Sequence, residues 1–433
     1  MKRGFYTIMA AQFFSSLADN ALFIAAIALL KAAGAEDWQK AALVPVFALF
    51  YVVLAPFVGA FADSQPKGRV MFLSNAIKVL GCIMMLFGGH PLLAYAVVGL
   101  GAAAYSPAKY GILTELLPAS QLVKANGWIE GLTITSIILG VLVGGQLVGP
   151  TISGHLLAFD FPYLDTGVDT PAEAAIALLI LIYVVAAWFN LHIPLTGVAM
   201  RPLREDPNKS LVANLLGLLP DFWRCSKRLW ADKLGQISLS TTTLFWGASG
   251  NLRYIVLAWG AAALGYSTTQ ASALVGVVAL GTAAGAVLAS SYTQLDKATR
   301  VLPLGVAMGL VVILMNAIDN VWLAVPFLIL LGGLGGFLVV PMNALLQHRG
   351  HNLMGAGRSI AVQNFNEQAA ILGMGVLYSL FTKWGLSAFG AIAAFGLLVA
   401  AVMVVILRWH VYNVRHYPKE MVQLRKIARL DQH

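Results

Sequence analysis

Charge is scarce in this chain. Only 11% of its 433 residues are Asp, Glu, Lys or Arg, where soluble domains carry about 25%, while 59% are hydrophobic and the mean hydropathy is +0.78. That balance excludes a soluble globular protein and implies an integral membrane one. Cysteine is nearly absent. Cys82 in an apolar run and Cys225 in a basic one exclude a disulfide framework and offer no redox or metal role. No phosphate-cradling Walker loop occurs, which excludes direct ATP coupling, and no cofactor is expected. Acidic residues are fewer than basic ones, 19 against 28, giving a net charge of +9. Nucleic acid is excluded as the acidic partner, because the cations sit in short hydrophilic segments rather than on one basic face. The membrane surface fits instead. The N-terminal apolar run is too long for a signal peptide core and lacks an Ala-x-Ala cleavage site, so it reads as a retained first helix.

What is present is a series of apolar runs, each long enough to span a bilayer at about 20 residues and 1.5 Å of rise per residue. Twelve are expected, at 5–30, 41–62, 70–89, 92–113, 127–149, 173–193, 236–263, 270–291, 301–318, 322–346, 358–382 and 386–409. An even number puts both termini on one side. Of the basic residues only Lys31, Lys40 and Lys383 fall in loops of the opposite side, where Asp160, Asp165, Asp169 and Asp319 also lie, so the positive-inside rule makes the termini cytoplasmic. The expected organisation is a six-helix bundle over 1–193, a linker over 194–235, a second six-helix bundle over 236–409 and a basic cytoplasmic tail over 410–433. The linker interleaves Leu, Phe and Trp with cations in LVANLLGLLPDFWRCSKRLW, a pattern suited to the inner leaflet surface.

The two halves repeat weakly. GAAAYSPAKYGILTEL followed by KANGWIEGLTITSIILG aligns with GGFLVVPMNALLQHR followed by IAVQNFNEQAAILGMG, which pairs Pro107 with Pro341 and Glu130 with Glu367. ADNALFI aligns with SGNLRYI, pairing Asn20 with Asn251. Such a repeat predicts a binding site between the halves. The loop after the second span, GAFADSQPKGRV, resembles the cytoplasmic signature of the major facilitator superfamily through Gly59, Asp63, Gly68 and Arg69. The resemblance implies an all-α, twelve-helix fold of two six-helix bundles with pseudo-two-fold symmetry, and a gate at Asp63 and Arg69. The matching loop of the second half, GAVLASSYTQLDKATR, has no aspartate at the equivalent place, so an asymmetric gate is expected.

Polar residues inside the spans are few enough to weigh singly. An ionised group at mid-membrane costs about 3 kcal/mol on insertion scales, so it should face a partner or a wet cavity. Asp19 in SLADNAL and Arg253 lie deep in their runs, carry opposite charge and are expected to line a cavity. Asn126 and Glu130 share one helix face at i,i+4, as do Gln363 and Glu367, with Asn364 beside them. Asn343 and Gln347 read best as interhelical hydrogen bonders. Lys78 reads as a lysine snorkelling to the headgroups, and Lys109 equally as that or as a site residue. Glu130 and Glu367 are read as lying close to their helix starts, where the helix dipole favours a carboxylate, and as gate residues or ligands alike. His155 and Asp160 have the His-x4-Asp spacing of glycerolipid acyltransferases, but the loop has no room for a catalytic domain, so an enzyme is not expected. His348 and His351 in HRGH lack further ligands for a metal.

The combination of SLADNALF, VGLGAAAYSPAKYGILTELLP with LVKANGWIEG, TTLFWGASGNLRY, and VVPMNALLQHRG with GAGRSIAVQNFNEQAA resembles the bacterial lysophospholipid transporter family over nearly the whole chain. The resemblance implies flipping of lysophospholipids such as lysophosphatidylethanolamine across the inner membrane, for re-acylation by a cytoplasmic acyltransferase/acyl-carrier-protein synthetase, which here would be a separate protein. From the polar residues inside the spans, substrate binding is expected at Asp19, Asn20, Lys109, Asn126, Glu130, Arg253, Gln363, Asn364 and Glu367, in a chain acting as a monomer. The competing expectations are a proton-coupled exporter of drugs or amphiphiles on the same fold, and a scaffold that transports nothing.

Overall fold

A computed structural model describes residues 3–35, 37–158, 167–266 and 268–430. Among them every regular element is helical: α1 Arg3–Ala32, α2 Asp37–Val53, α3 Ala55–Ser64, α4 Lys67–Leu86, α5 Pro91–Leu116, α6 Ala119–Val148, α7 Pro150–Leu157, α8 Pro171–Leu191, α9 Leu211–Ala231, α10 Gly235–Leu264, α11 Thr268–Tyr292, α12 Leu302–Leu314, α13 Val321–Met354, α14 Ala356–Lys383, α15 Ala388–His416 and α16 Pro418–Arg429. Single 3-10 stretches at Leu295–Val301 and Met315–Ala317 flank α12. Nine described segments are long and apolar enough to cross a membrane, and the α2/α3 pair makes a tenth across a 64° bend. The other two expected spans fall on α10 and α14, which have the length but carry a Ser/Thr run with Asn251, and Gln363, Asn364, Asn366 and Glu367.

Where the sequence suggested one straight second span, the chain breaks at Leu54. Pro56 sits in the first turn of α3, where it lacks the N–H an unbroken helix would need and its ring would strike the carbonyl four residues back. The stretch expected as a loop around 150–172 holds the short helix α7, and the linker, whose sequence suggested helices, holds α9. Thr170 opens α8 through a capping box, its hydroxyl accepting from the Glu173 N–H and the Glu173 carboxylate accepting from the Thr170 N–H. The side chains of Lys40, Arg253 and Lys383, and the residues Asp160 and Asp165, lie outside what is described.

Two compact units result, one of residues 1–116, 135–222 and 356–361, the other of 117–134, 223–355 and 362–433. In the first, α1 packs on α8, α4 on α5 and α8, and α2 on α5, around Ala18, Leu22, Leu43, Tyr95, Val98 and Leu179. Gly140 and Gly144 of α6 press on α1, where a Cβ would fall 2.6 Å from the Leu17 carbonyl and 2.9 Å from the Ala21 Cα. In the second unit α11 packs on α13 and α12 on α15. Close backbone approach by small residues is the dispersion-driven way apolar helices associate in lipid.

Candidate binding site and charge lock

Asp19 has a partner. The Lys78 ammonium donates to its Oδ2 at 2.8 Å and the Tyr183 hydroxyl to its Oδ1 at 2.6 Å, so α4 and α8 each bring one donor to a carboxylate on α1. The same ammonium donates to the Ser15 hydroxyl at 3.0 Å, Ser15 donates to Asn75 at 2.8 Å, and Asn75 to Asn190 at 2.7 Å. The Tyr105 and Tyr183 rings stand 5.0 and 5.6 Å from the ammonium, within cation–π range. Lys78 therefore does not snorkel. It stands 11 residues past Lys67 at the start of α4, about 16 Å along the helix, beyond the reach of a lysine stem, and its side chain is 1% exposed. Gly101 of α5 makes room for that stem: a Cβ there would fall 2.7 Å from the Lys78 Cγ. Asp19 is 20% exposed, so the nest presents its anionic member outward and keeps its cation inside. Asn20 ties back to the Ser16 carbonyl at 2.8 Å. Lys109 is buried, its ammonium 4.1 Å from the Tyr110 ring centroid.

The second unit holds the other candidates. Asn126 and Gln347 exchange amide hydrogen bonds, both at 2.9 Å and both fully buried, joining α6 to α13. The Gln363 amide donates to Asn343 at 2.9 Å and to Glu367 at 2.7 Å, so Asn343 and Gln347 are interhelical bonders as the sequence suggested. The Gln363 Oε1 is buried without a hydrogen-bond partner. Glu130 and Glu367 are buried as well, and their placement differs from expectation. Both helices begin earlier than the apolar runs, at 119 and 356, so each glutamate stands 11 residues in (119 to 130, 356 to 367), past the first turn in which the dipole acts. Asn251 donates to the Gly247 carbonyl at 2.8 Å and the Ile371 carbonyl at 3.1 Å, and Asn364 is half-buried.

Asp63 forms a lock at one end of the first unit. Its Oδ1 accepts the Gly357 N–H at 2.7 Å and its Oδ2 the Arg358 N–H at 3.0 Å. It therefore caps the N-terminus of α14, satisfying two donors the helix cannot. The Arg358 guanidinium adds a bond to Asp63 at 3.2 Å and reaches Asp221 of α9 at 2.9 Å. Lys67 joins Asp63 at 3.3 Å to Glu115 at 3.0 Å, and Thr196 donates to Glu115 at 2.9 Å. Gly59 permits the approach, since a Cβ there would fall 2.7 Å from the Ala361 Cβ and 3.0 Å from the Gly357 carbonyl. Gly68 likewise faces the Asn190 carbonyl, at 2.9 Å from a notional Cβ. Arg69 is exposed, and the cations of the lock are Lys67 and Arg358. In the second unit Arg349 meets Asp232 with two donors, at 3.1 and 2.6 Å, while Asp232 caps α10 through the Gly235 N–H at 2.7 Å.

Sequence reading passed over Tyr183, Lys67, Glu115, Asp221, Arg349 and Arg358. Arg358 carried a signal, a lone cation in GAGRSIAV where a span begins. No group of three or more metal-ligating side chains occurs among the described residues. His155 ends α7, and its supposed partner Asp160 is outside the described residues.

Comparison with known proteins places the whole arrangement. The Major Facilitator Superfamily model matches residues 8–366. Proteins named lysophospholipid transporter LplT from Yersinia pestis (strain Pestoides F) and Yersinia pseudotuberculosis serotype O:3 (strain YPIII) are each 40% identical over 386 residues, 89% of this chain and 88% of theirs. Among solved structures, the human organic anion transporter MFSD10 (TETRAN) aligns with a TM-score of 0.71 at 15% identity, over 94% of this chain and all of that one. FucP in the outward conformation gives 0.66 at 12%, over 94% and 98%, and an outward-facing bacterial homologue of the iron transporter ferroportin 0.64 at 15%, over 94% and 99%. These likenesses show the fold. A chain with nine membrane-length apolar segments among its described residues and a capped α14, matched by the superfamily model across most of its length, is a multi-pass membrane protein that belongs to the Major Facilitator Superfamily, in the branch that holds the LplT lysophospholipid transporters.

Proposed function

We propose that the protein carries lysophospholipids, lysophosphatidylethanolamine among them, across a bacterial inner membrane to the cytoplasmic leaflet. The 40% identity to proteins named for that activity supports the reading, and the observation that carries it is the Asp19–Lys78–Tyr183 nest. A zwitterionic headgroup pairs a phosphate with an ammonium. A carboxylate that is held by a buried ammonium on one side and is 20% exposed on the other can receive the ligand's ammonium without either internal charge losing its partner, which keeps the cost of burying charge low. The 20% of Asp19 left exposed is where an incoming ammonium would arrive. Arg253 would take the phosphate through its planar fork of donors. Asn20, Lys109, Asn126, Glu130, Gln363, Asn364 and Glu367 complete the polar lining in this reading, with the buried Gln363 oxygen a ready acceptor. The single acyl chain stays in lipid as the headgroup crosses by alternating access. Asp63 and its partners are the gate on the cytoplasmic side, with Arg69 at its rim. Both termini are cytoplasmic, the chain works as a monomer with two six-helix halves around the 194–235 linker, and an acyltransferase/acyl-carrier-protein synthetase consumes the product.

The test is reconstitution of the purified chain in vesicles with headgroup-labelled lysophosphatidylethanolamine in the outer leaflet, with and without imposed proton and sodium gradients. Protein-dependent loss of label from the outer leaflet supports the proposal. No movement above protein-free vesicles contradicts it.

A further inference from the structure

Helix α9 has three faces. Asn214, Leu218, Phe222, Cys225 and Leu229 recur at helical spacing and are buried against the protein. Val212, Leu216, Leu219 and Trp223 recur at i, i+4, i+7 and i+11 on a second stripe and stay exposed, at 65, 58, 40 and 54%. Trp223 does so although its ring meets Phe365 edge-on. The third stripe is cationic, with Arg224, Lys227 and Arg228 all exposed. A helix whose inner face is already packed has no core left to bury the second stripe in. Yet four large apolar side chains in a row exceed the scattered exposure a protein surface normally shows.

We infer that this outer surface of α9 docks on an anionic phospholipid leaflet. The chemistry of the occupant follows from the two stripes together. The apolar row asks for acyl chains, and the adjoining ammonium and guanidinium groups ask for anionic headgroups at the depth where the chains begin. Trp223 closes the apolar row one residue before Arg224, and an amphipathic ring there suits the headgroup level. Docking has a consequence for the lock, because the same helix carries Asp221, which accepts the Arg358 Nε at 2.9 Å. A leaflet that holds α9 also holds the carboxylate that steadies Arg358. This inference depends on the chain being a membrane protein and not on what it transports.

Cys82 and Cys225 are buried, so a nitroxide can be placed selectively on Leu219→Cys in the otherwise intact chain. The label is read in vesicles of phosphatidylcholine and phosphatidylethanolamine, and in the same vesicles with phosphatidylglycerol added. In the anionic vesicles the nitroxide should be shielded from an aqueous nickel chelate and open to dissolved oxygen. High salt should weaken the shielding. Lys227→Gln with Arg228→Gln should shift the partition of this face toward water by about 30-fold, about fivefold for each cation lost beside an anionic surface. A nitroxide equally open to nickel in both lipid mixtures would overturn the inference, as would one shielded in both and indifferent to the double substitution. The first result would mean that α9 faces water or awaits a protein, and the second that it packs without regard to lipid charge.

Discussion

Lys78 shows how much a single residue can be misread when its depth is ignored. Its charge looked like an embarrassment to be carried to the headgroups, whereas its position three turns inside α4 sets it against the partly exposed carboxylate of Asp19. Removing one member of a buried pair typically costs about 3–5 kcal/mol, because the survivor is left charged and unpaired. Asp19→Asn should therefore lower the thermal midpoint of the purified protein markedly, and so should Lys78→Met. Asp19→Asn combined with Lys78→Met should restore most of the loss, since neither charge then remains, and a melting series on the four proteins measures the coupling. Additive losses would show that the two side chains do not depend on each other. At Arg253, substitution by Ala should nearly abolish uptake at subsaturating lipid while the protein stays folded, and Arg253→Lys should rescue only in part, since a point charge lacks the fork. Uptake near that of the unsubstituted chain would remove Arg253 from the headgroup site. Asp19, Asn126 and Gln363 were legible as suspects from charge and spacing alone. The partners of Asp19 and Asn126 were not, because Lys78, Tyr183 and Gln347 lie 59, 164 and 221 residues away along the chain, whereas Gln363 bonds the Glu367 that its i,i+4 spacing already set beside it.

At the scale of the element, the helices were largely legible and their ends were not. Apolar runs located α1, α5 and α8 within a few residues and the starts of α13 and α15 likewise, since the bilayer requirement writes itself into composition, but α13 and α15 run on past the expected 346 and 409 to Met354 and His416. The start of α6 was missed because its first turns are polar, SQLVKAN carrying helix without carrying hydrophobicity, whereas the start of α14 at Ala356 lies beside the expected 358. The start of α14 is the one on which the lock depends. Asp63 satisfies two of its free N–H groups, so Asp63→Asn should speed hydrogen exchange at Gly357 and Arg358 and slow transport, while leaving exchange in α8 unchanged. Unaltered exchange at 357 and 358 would mean that the cap contributes nothing. Gly59→Val should act in the same direction through sterics, with Ala361 and the Gly357 carbonyl in the way. The signature GAFADSQPKGRV announced Asp63 and the two glycines, but not that the cationic partners are Lys67 and Arg358. A lysine one position before the second glycine and an arginine 295 residues on share no local pattern with the aspartate.

For the whole molecule, composition sufficed to establish a membrane protein of many spans, and a few long motifs its family. The compact units do not follow the sequence as two contiguous runs. Residues 356–361 belong to the first because Asp63 and Asp221 hold them there, and 117–134 to the second because Asn126 is paired with Gln347. No count of apolar windows contains those side-chain choices. The distribution of Lys and Arg makes a further prediction about the molecule as a whole: a cysteine introduced at Lys209, whose side chain is exposed in the linker, should be inert to a membrane-impermeant maleimide in intact cells and react once the inner face is opened. Labelling from outside would invert the topology.

On the proposed function, the nest around Asp19 recognises a headgroup by its charge. The most direct test compares transport of lysophosphatidylethanolamine with that of an anionic lysolipid, lysophosphatidylglycerol, by vesicles carrying the unsubstituted chain or Asp19→Asn, at matched amounts of folded protein. If the carboxylate receives the ammonium, the substitution should abolish most movement of the zwitterionic lipid and spare a substantial part of the anionic one, because only the first ligand brings a cation to that place. Equal loss for both lipids, together with loss of any response to an imposed pH gradient, would contradict the claim and make Asp19 a coupling group instead.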